Sequence, residues 1–276
     1  GCECPVADLA EFGDGPVAYR VVRQRGDGRS SQFGPHYRRA SLRNLATVAR
    51  VAQARELLGS RGITPVLIKG GAFLLRQSPS DLGVRAMADF DLLVGPERFD
   101  EAFVVLTEVG WRRASPELKY SSRVSPAVTL VSADAPGATV QIDLHRHLAQ
   151  WPLLKELPAV VIAHAEEQGG WMLPSARHAV LIVALHRARH AFANDGRDLF
   201  DLAVSASGID DSGWAAVLDE ARALGLTGAL CGAMGQAAWW FGGDGDPLAC
   251  RSLALRARLG HVRVALLDRM AAPAFR

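Results

Sequence analysis

The sequence predicts an α+β fold in which a short mixed sheet flanked by helices is followed by a helical bundle. Two observations predict it. Short apolar segments that are typical of buried strands alternate with helical patterns up to about residue 150, and the patterns from residue 151 onward are helical only. The chain has 276 residues, 49% of them hydrophobic and 22% charged, so it is long enough to bury a substantial core.

Three parts of the chain differ in pattern. Residues 1–35 are predicted to form a polar N-terminal arm, because they are rich in Gly, Arg, Asp and Ser and show few periodic apolar positions. Residues 36–150 are predicted to form the core that contains the sheet. Residues 151–276 are predicted to form a C-terminal helical domain.

The core begins with an amphipathic helix over residues 35–62, in which apolar residues recur at steps of three and four. The face predicted to be buried carries Leu42, Leu45, Val48, Ala49, Ala52 and Leu57. Residues 64–68 (TPVLI) follow as a buried strand, because they are apolar and rich in β-formers. They lead into Lys69-Gly70-Gly71 and a short helix over residues 72–77.

The remaining elements follow from the same periodicities. A strand is predicted over residues 88–94 (ADFDLLV), which Gly95-Pro96 ends, and a helix over residues 97–109. Two more strands are predicted over 127–132 and 139–145. The second half has helical patterns over residues 176–192, 199–206, 214–224, 230–241 and 253–270.

Composition argues against several classes of protein. The formal net charge is +2, from 31 Lys+Arg and 29 Asp+Glu, so no global field favours binding a long nucleic acid. The four cysteines, Cys2, Cys4, Cys231 and Cys250, are too few and too scattered for a disulfide framework, which favours a reducing cytoplasm. No apolar run reaches the roughly 18 residues that span a membrane, so we expect no membrane partner.

The chemistry is carried by carboxylates on two predicted strands. Asp89 and Asp91 are two residues apart, so both project from the same face, about 6.6 Å apart along the strand. The same alternation over residues 139–145 puts Asp143 and His145 on one face. If the two strands are neighbours, Asp143 joins the pair.

Three carboxylates so close together need a positive charge among them. At about 5 Å and an effective dielectric constant near 20, each like-charged pair costs roughly 3 kcal/mol. Oxygen ligands suit Mg²⁺ or Mn²⁺, and a triphosphate would complete such a site. The plainer interpretation is that Asp89 and Asp91 mark a solvent-facing strand edge.

Lys69-Gly70-Gly71 follows a buried strand and opens a helix. In such a turn, glycines allow close backbone approach, and exposed amide groups at the helix start meet a phosphate. Lys69 would add a point charge. The plainer interpretation is an ordinary strand-to-helix turn, because the motif matches neither the P-loop nor the dinucleotide fingerprint.

Three motifs occur here in a recognisable order and spacing. They are Leu67-Ile68-Lys69-Gly70-Gly71, then Arg85-x-x-x-Asp89-x-Asp91-Leu92-Leu93-Val94, then Ile142-Asp143-Leu144-His145. Together they resemble the uncharacterised bacterial nucleotidyltransferase family of the DNA polymerase beta-like superfamily. The Lys-Gly-Gly wording is also similar to AbiEii-type nucleotidyltransferase toxins. The resemblance covers roughly residues 40–205. The sequence departs from the family at Arg146, where the family commonly has Trp.

The resemblance implies a polymerase beta-like core that uses Mg²⁺ or Mn²⁺ to move a nucleoside monophosphate from a nucleoside triphosphate to a hydroxyl-type acceptor, releasing pyrophosphate. Asp89 and Asp91 would be paired metal ligands, and Asp143 the third carboxylate and a candidate base. The acceptor stays open among a small molecule, a peptide, a protein and a tRNA.

The resemblance also implies residues that bind the nucleotide. Lys69, Gly70 and Gly71 would form the phosphate-binding turn, in place of the Gly-Ser pair of most of the superfamily. Arg85 would lie close enough to contact phosphate. From the strand alternation rather than the resemblance, His145 shares the acidic face and would orient Asp143; the plainer interpretation is an ordinary hydrogen bond behind the site.

Two alternative functions stay open. One is a non-catalytic nucleotide-binding sensor or partner protein on the same fold. The other is a metal-dependent phosphohydrolase that uses His186, His190 and Asp198, because histidines four residues apart on a helix can share a metal. A cleft-facing or partly buried histidine pair is the plainer interpretation of His186 and His190.

Overall fold

The computed structural model describes residues 15–24, 26, 28–76, 81–115, 125–132, 139–149, 154–192 and 196–241. These described residues divide into two compact units, one made of those within 1–34 and 176–276 and the other of those within 35–175. A mixed sheet with helices is followed by a helical bundle, which confirms the α+β prediction.

The unit of residues 35–175 contains the described strands and four helices that lie wholly or largely in it. The strands are β1 (Val66–Ile68), β2 (Phe90–Leu93), β3 (Trp111–Arg113), β4 (Ala127–Ser132), β5 (Gln141–His145), β6 (Glu166–Gln168) and β7 (Trp171–Leu173). The helices are α2 (Ser30–Ser60), α3 (Lys69–Arg76), α4 (Pro96–Glu108) and α5 (Leu157–Ala163).

These seven described strands form one sheet in the order β3-β4-β5-β2-β1-β7-β6. Strands β2 and β5 pair in parallel at its centre, and β1 pairs antiparallel to β2. A parallel pair needs a long crossover connection, which α4, β3 and β4 supply here. The topology therefore brings the predicted 88–94 and 139–145 strands side by side.

Two strands lie where the sequence pattern predicts helices only. Strands β6 and β7 form a hairpin in which Gln168 pairs with Trp171. Gly169 and Gly170 both have positive φ angles, 57° and 80°, as a type I′ turn requires. Each strand has only three residues, and all three residues of β6 are exposed, so neither strand is long enough to show a recognisable apolar alternation. The Gly-Gly pair is the signal that predicts this hairpin.

Helix α2 buries a different face from the one predicted. Leu42 and Leu45 are 72% and 57% exposed, so the expectation that they face the core is wrong. The buried row recurs at the same helical spacing but includes polar residues: Ala40, Asn44, Thr47, Val51, Ala54 and Leu58. An apolar count cannot identify this face, because Asn44 is buried through hydrogen bonds to other parts of the unit.

The other unit is helical in its described residues. It contains α1 (Gly15–Gln24), α6 (Ala176–Arg189), α7 (Gly196–Ser207), α8 (Asp211–Ala223) and α9 (Thr227–Phe241). Helix α9 packs against α6 and α7. The last four confirm the predicted helices up to residue 241, whereas the helix predicted over residues 253–270 lies outside the described residues. Among the described helices, none combines the length and apolarity needed to cross a membrane.

Candidate metal centre

The central strands place the predicted acidic residues in register. Asp91 of β2 lies opposite Asp143 of β5, and Leu93 lies opposite His145. On the other side of β5, Thr129 of β4 lies opposite Asp143. Because side chains alternate along a strand, the Asp91, Asp143 and His145 side chains share one face of the sheet.

Asp91, Asp143 and His145 form a compact group of possible metal ligands. One ligand atom from each residue lies within 4.8 Å of the other two. Asp91 and His145 are only 5% and 3% exposed, and Asp143 is half-buried. Asp89 is half-buried directly before β2, beside this group of three but not in it. The oxygen and imidazole donors suit a divalent cation.

The Asp91 carboxylate is stabilised in its charged form. Burial raises its pKa, but the Lys69 ammonium and the hydrogen bond and charge of His145 lower the pKa far below its usual range. Lys69 Nζ lies 2.5 Å and His145 Nε2 lies 2.8 Å from the same oxygen, Asp91 Oδ1. At neutral pH Asp91 is therefore an ionised carboxylate that contacts two donors.

Asp89 shows the opposite effect. Burial, followed by the charges of Asp91 and Asp143, raises its pKa, and the cations Lys69 and Arg85 only partly oppose that rise. The charged form of Asp89 is therefore disfavoured by burial and by the two neighbouring carboxylates. A divalent cation would favour that charged form, so the residues fit a metal ion.

Lys69 has an unusual backbone conformation where β1 meets α3. Its φ angle is 54°, in the left-handed region that costs an L-residue about 1–2 kcal/mol. The Lys69 side chain forms the ion pair with Asp91 from this position. The strain is thus retained at the residue that neutralises the acidic group.

Gly70 and Gly71 are both buried, and each leaves room for a neighbour. A Cβ atom at Gly70 would collide with the guanidinium group of Arg85. A Cβ atom at Gly71 would lie 2.9 Å from Leu67 Cδ1 and 3.0 Å from Phe90 Cδ1. The glycines therefore let Arg85 and the sheet approach the start of α3. Their contact with phosphate stays a prediction.

Arg85 is buried beside the acidic group, on a loop that Asn44 holds. Asn44 Nδ2 donates to the carbonyl oxygens of Leu82 and Arg85, at 2.7 Å and 2.6 Å. Asn44 Oδ1 accepts from the Met87 amide at 3.2 Å. Because Asn44 is fully buried, these three bonds fix the backbone that carries Arg85.

Sequence reasoning missed Asn44 and Thr129. Thr129 Oγ1 donates to Asp143 Oδ1 at 2.7 Å, so it orients the third carboxylate. Asn44 lies within a helical row of small and apolar residues, which is the one signal of its burial. Nothing in the sequence alone indicates that Thr129 lies opposite Asp143.

The family of this chain is identified by comparing its sequence with a family model. The model described as "Uncharacterised nucleotidyltransferase" matches residues 16–242, which is most of the chain. The chain belongs to this nucleotidyltransferase family. The resemblance seen in the three sequence motifs is therefore confirmed. No curated protein matches the chain.

The histidines of the helical unit do not form a comparable centre in this member of the family. His186 Nε2 lies 3.4 Å from Asp198 Oδ2, and the rings of His186 and His190 are 4.5 Å apart between centroids. Across the described ranges, however, the one three-residue group with metal-ligand spacing is that of Asp91, Asp143 and His145. The phosphohydrolase hypothesis therefore has no described three-ligand site.

Proposed function

We propose that the chain is a metal-dependent nucleotidyltransferase that moves a nucleoside monophosphate from a nucleoside triphosphate to a hydroxyl-type acceptor and releases pyrophosphate. The observation that carries this proposal is the register of β2 and β5, which pairs Asp91 with Asp143 in a chain of this family. Asp89 and His145 add donors beside that pair.

In this proposal Asp89, Asp91 and Asp143 hold Mg²⁺ or Mn²⁺, and the triphosphate completes the coordination. A divalent ion supplies charge neutralisation and polarises a phosphoryl oxygen. Thr129 holds the Asp143 carboxylate through one oxygen and so fixes its direction. Asp91 and Asp143 are in place before nucleotide arrives, because strand pairing rather than loop closure positions them.

Lys69 and Arg85 bind phosphate oxygens in this proposal. When a metal neutralises Asp91, the attraction between that carboxylate and the Lys69 ammonium becomes weaker. The flexible side chain of Lys69 then lets the ammonium reach a phosphate oxygen. The amides at the start of α3, including those of Gly70 and Gly71, lack partners within the helix and favour an anion. Both effects place positive potential at the same end of β1.

The transfer step is written as an in-line displacement. The acceptor oxygen forms a bond to the α-phosphorus, and the bond from that phosphorus to the oxygen bridging to the β-phosphate breaks. Pyrophosphate leaves with the electron pair. The proton of the acceptor hydroxyl passes to the Asp143 carboxylate.

Label position tests the reaction. The purified chain is incubated with Mg²⁺ or Mn²⁺, a host extract, and each nucleoside triphosphate labelled either at the α- or at the γ-phosphate. We expect α-label to enter an acceptor and γ-label to appear in pyrophosphate. Digesting the products with nuclease or protease then assigns the acceptor to RNA, protein or a small molecule.

Matched variants connect the transfer to the metal centre. Asp91→Asn and Asp143→Asn should lower transfer by on the order of 100-fold or more. Asp100→Asn is the control, because the Asp100 side chain is 94% exposed and pairs with Arg146. Transfer at the control rate by a folded Asp91→Asn variant contradicts the proposal, as does γ-label in the acceptor.

A further inference from the structure

Helix α2 carries an apolar row on its exposed side. Leu42, Leu45, Ala46 and Ala49 recur at steps of three and four residues, and all four are exposed. Leu42 and Leu45 keep 72% and 57% of their surface accessible. Such a row is typical of a helix face that packs against another element, and the opposite face of α2 is already buried. The exposed row therefore indicates a surface for a partner.

The two ends of this row carry opposite charges. Arg38 precedes it, and Glu56 follows Arg38 by about five helical turns, so the two side chains project in the same direction and both are exposed. Among the residues that the structure describes, Arg38 has no hydrogen bond or ion pair. The Glu56 side chain is 69% exposed and lies 3.4 Å from Arg55. The exposed face of α2 thus has a basic end and an acidic end.

A second copy of this face, running antiparallel, matches it in both charge and size. Arg38 and Glu56 lie equally far before and after Thr47. With a two-fold axis level with Thr47, Arg38 faces the partner's Glu56, and the pair occurs twice because the contact is isologous. Leu45 faces the partner's Ala49, so a large side chain meets a small one and the two helices can approach closely.

The exposed face of α2 points away from the metal group. Arg50 Nε of α2 donates to Ser132 Oγ of β4 at 3.1 Å. Ser132 is three residues from Thr129, so strand alternation puts it on the face of the sheet opposite Thr129 and Asp143. A second copy packed on α2 therefore leaves the acidic face open.

We propose that the chain forms a two-fold symmetric dimer in which α2 packs antiparallel against α2 of a second copy, with Arg38 paired to the partner's Glu56 at each end. An acidic helix of another protein would suit Arg38 but repel Glu56, whereas a second copy satisfies both. The proposal does not depend on the transferase function. A single helix pair buries a small area, so we expect a dissociation constant on the order of tens of micromolar.

Sedimentation velocity of the full chain, from about 1 to about 200 µM, measures the dimer. Arg38→Glu and Glu56→Arg should each weaken dimerisation by more than about tenfold, because each puts like charges opposite one another. The double variant should return to within about threefold of the wild type, because the exchanged charges again face each other. Lys155→Glu is the control for charge, since the Lys155 side chain is 73% exposed and lies outside α2.

The apolar row is tested in the same way. Leu45→Gln should weaken dimerisation by at least about fivefold through lost apolar contact. Val104→Gln is its control, because Val104 is 51% exposed on α4 and should leave dimerisation unchanged. All the substituted side chains are exposed, so every variant should keep the urea midpoint of the wild type, which is measured alongside.

Three results overturn the proposal. A wild-type chain that stays monomeric up to about 200 µM excludes a dimer of the expected strength. Equal weakening by Leu45→Gln and Val104→Gln excludes α2 as the interface. A double variant that dimerises as weakly as Arg38→Glu and Glu56→Arg alone excludes the antiparallel pairing of these two residues.

Discussion

Replacing Lys69 separates two opposing energies at the start of α3. Lys69→Ala removes the ammonium that contacts Asp91 Oδ1 and leaves a buried carboxylate with one partner fewer. Breaking a buried ion pair from one side costs about 3–5 kcal/mol. The Lys69 side chain is 18% exposed and His145 still contacts Asp91, so we expect a loss of about 2–3 kcal/mol.

Lys69→Gly isolates the backbone strain. Alanine is normally the more stable residue at a helical position, by about 0.5–1 kcal/mol. At a φ of 54° the order reverses, because the left-handed conformation costs alanine about 1–2 kcal/mol and costs glycine almost nothing. Lys69→Gly should therefore be about 1 kcal/mol more stable than Lys69→Ala.

Urea unfolding of the metal-free chain at pH 7 measures both differences. Lys155→Ala is the matched control, because Lys155 is an exposed lysine paired with its neighbour Glu156, and it should change stability by less than about 0.5 kcal/mol. Adding Asp91→Asn to Lys69→Ala should restore stability, since the buried carboxylate that lost its cation is then replaced by a neutral amide. A Lys69→Ala chain as stable as the Lys155 control, or Lys69→Gly less stable than Lys69→Ala, refutes the reasoning.

Three further predictions concern the residues around the centre. Asn44→Ala removes three hydrogen bonds to backbone groups and should cost about 2–4 kcal/mol in urea unfolding. The exposed Gln53→Ala should cost less than about 0.5 kcal/mol, and equal losses contradict the role of Asn44. Because the pKa of Asp89 is raised, its charged form destabilises the fold as pH rises above about 4, so Asp89→Asn should stabilise the metal-free chain at pH 7 and have no effect below pH 4. Gly71→Ala should cost about 1–3 kcal/mol, because the added methyl group would press against the sheet. Gly59→Ala has open space around it and should stabilise α2 by about 0.5–1 kcal/mol. Thermal melts in which both variants shift stability in the same direction contradict this explanation.

The centre of the sheet was the most predictable part of the fold. Asp91 and Asp143 alternate with buried apolar residues, so the period-two pattern predicts which side chains of β2 and β5 share a face. Asp89 lies just before β2, and its place on that face stays a prediction. The register between strands is harder to predict from the sequence, because periodicity does not show which residues of two strands lie opposite each other. The pairing of Asp91 with Asp143, and the inclusion of His145 in the donor group, required the structure.

Residues whose partners are distant in sequence were the least predictable. Asn44 is a polar residue in a helix, and only its bonds to residues 82–87 explain its burial. Apolar periodicity therefore selected Leu42 and Leu45 for the core instead. Thr129 gains its role only from the β4–β5 pairing. Secondary structure is predicted from local residue patterns, and these patterns do not identify the distant partners of Asn44 and Thr129.

The parallel pairing of β2 with β5 has a consequence for the order in which the protein folds during synthesis. Asp91 is synthesised before Asp143. The two can pair only after α4 and the antiparallel β3–β4 pair, which lie between them in the sequence, have been synthesised. Contacts between residues so far apart in sequence form late. A nascent chain that ends before β5 would hold the first two aspartates without the third and without His145. In the proposed function, tight metal binding would therefore require that β5 has paired with β2, and a chain that stalls earlier would bind metal only weakly.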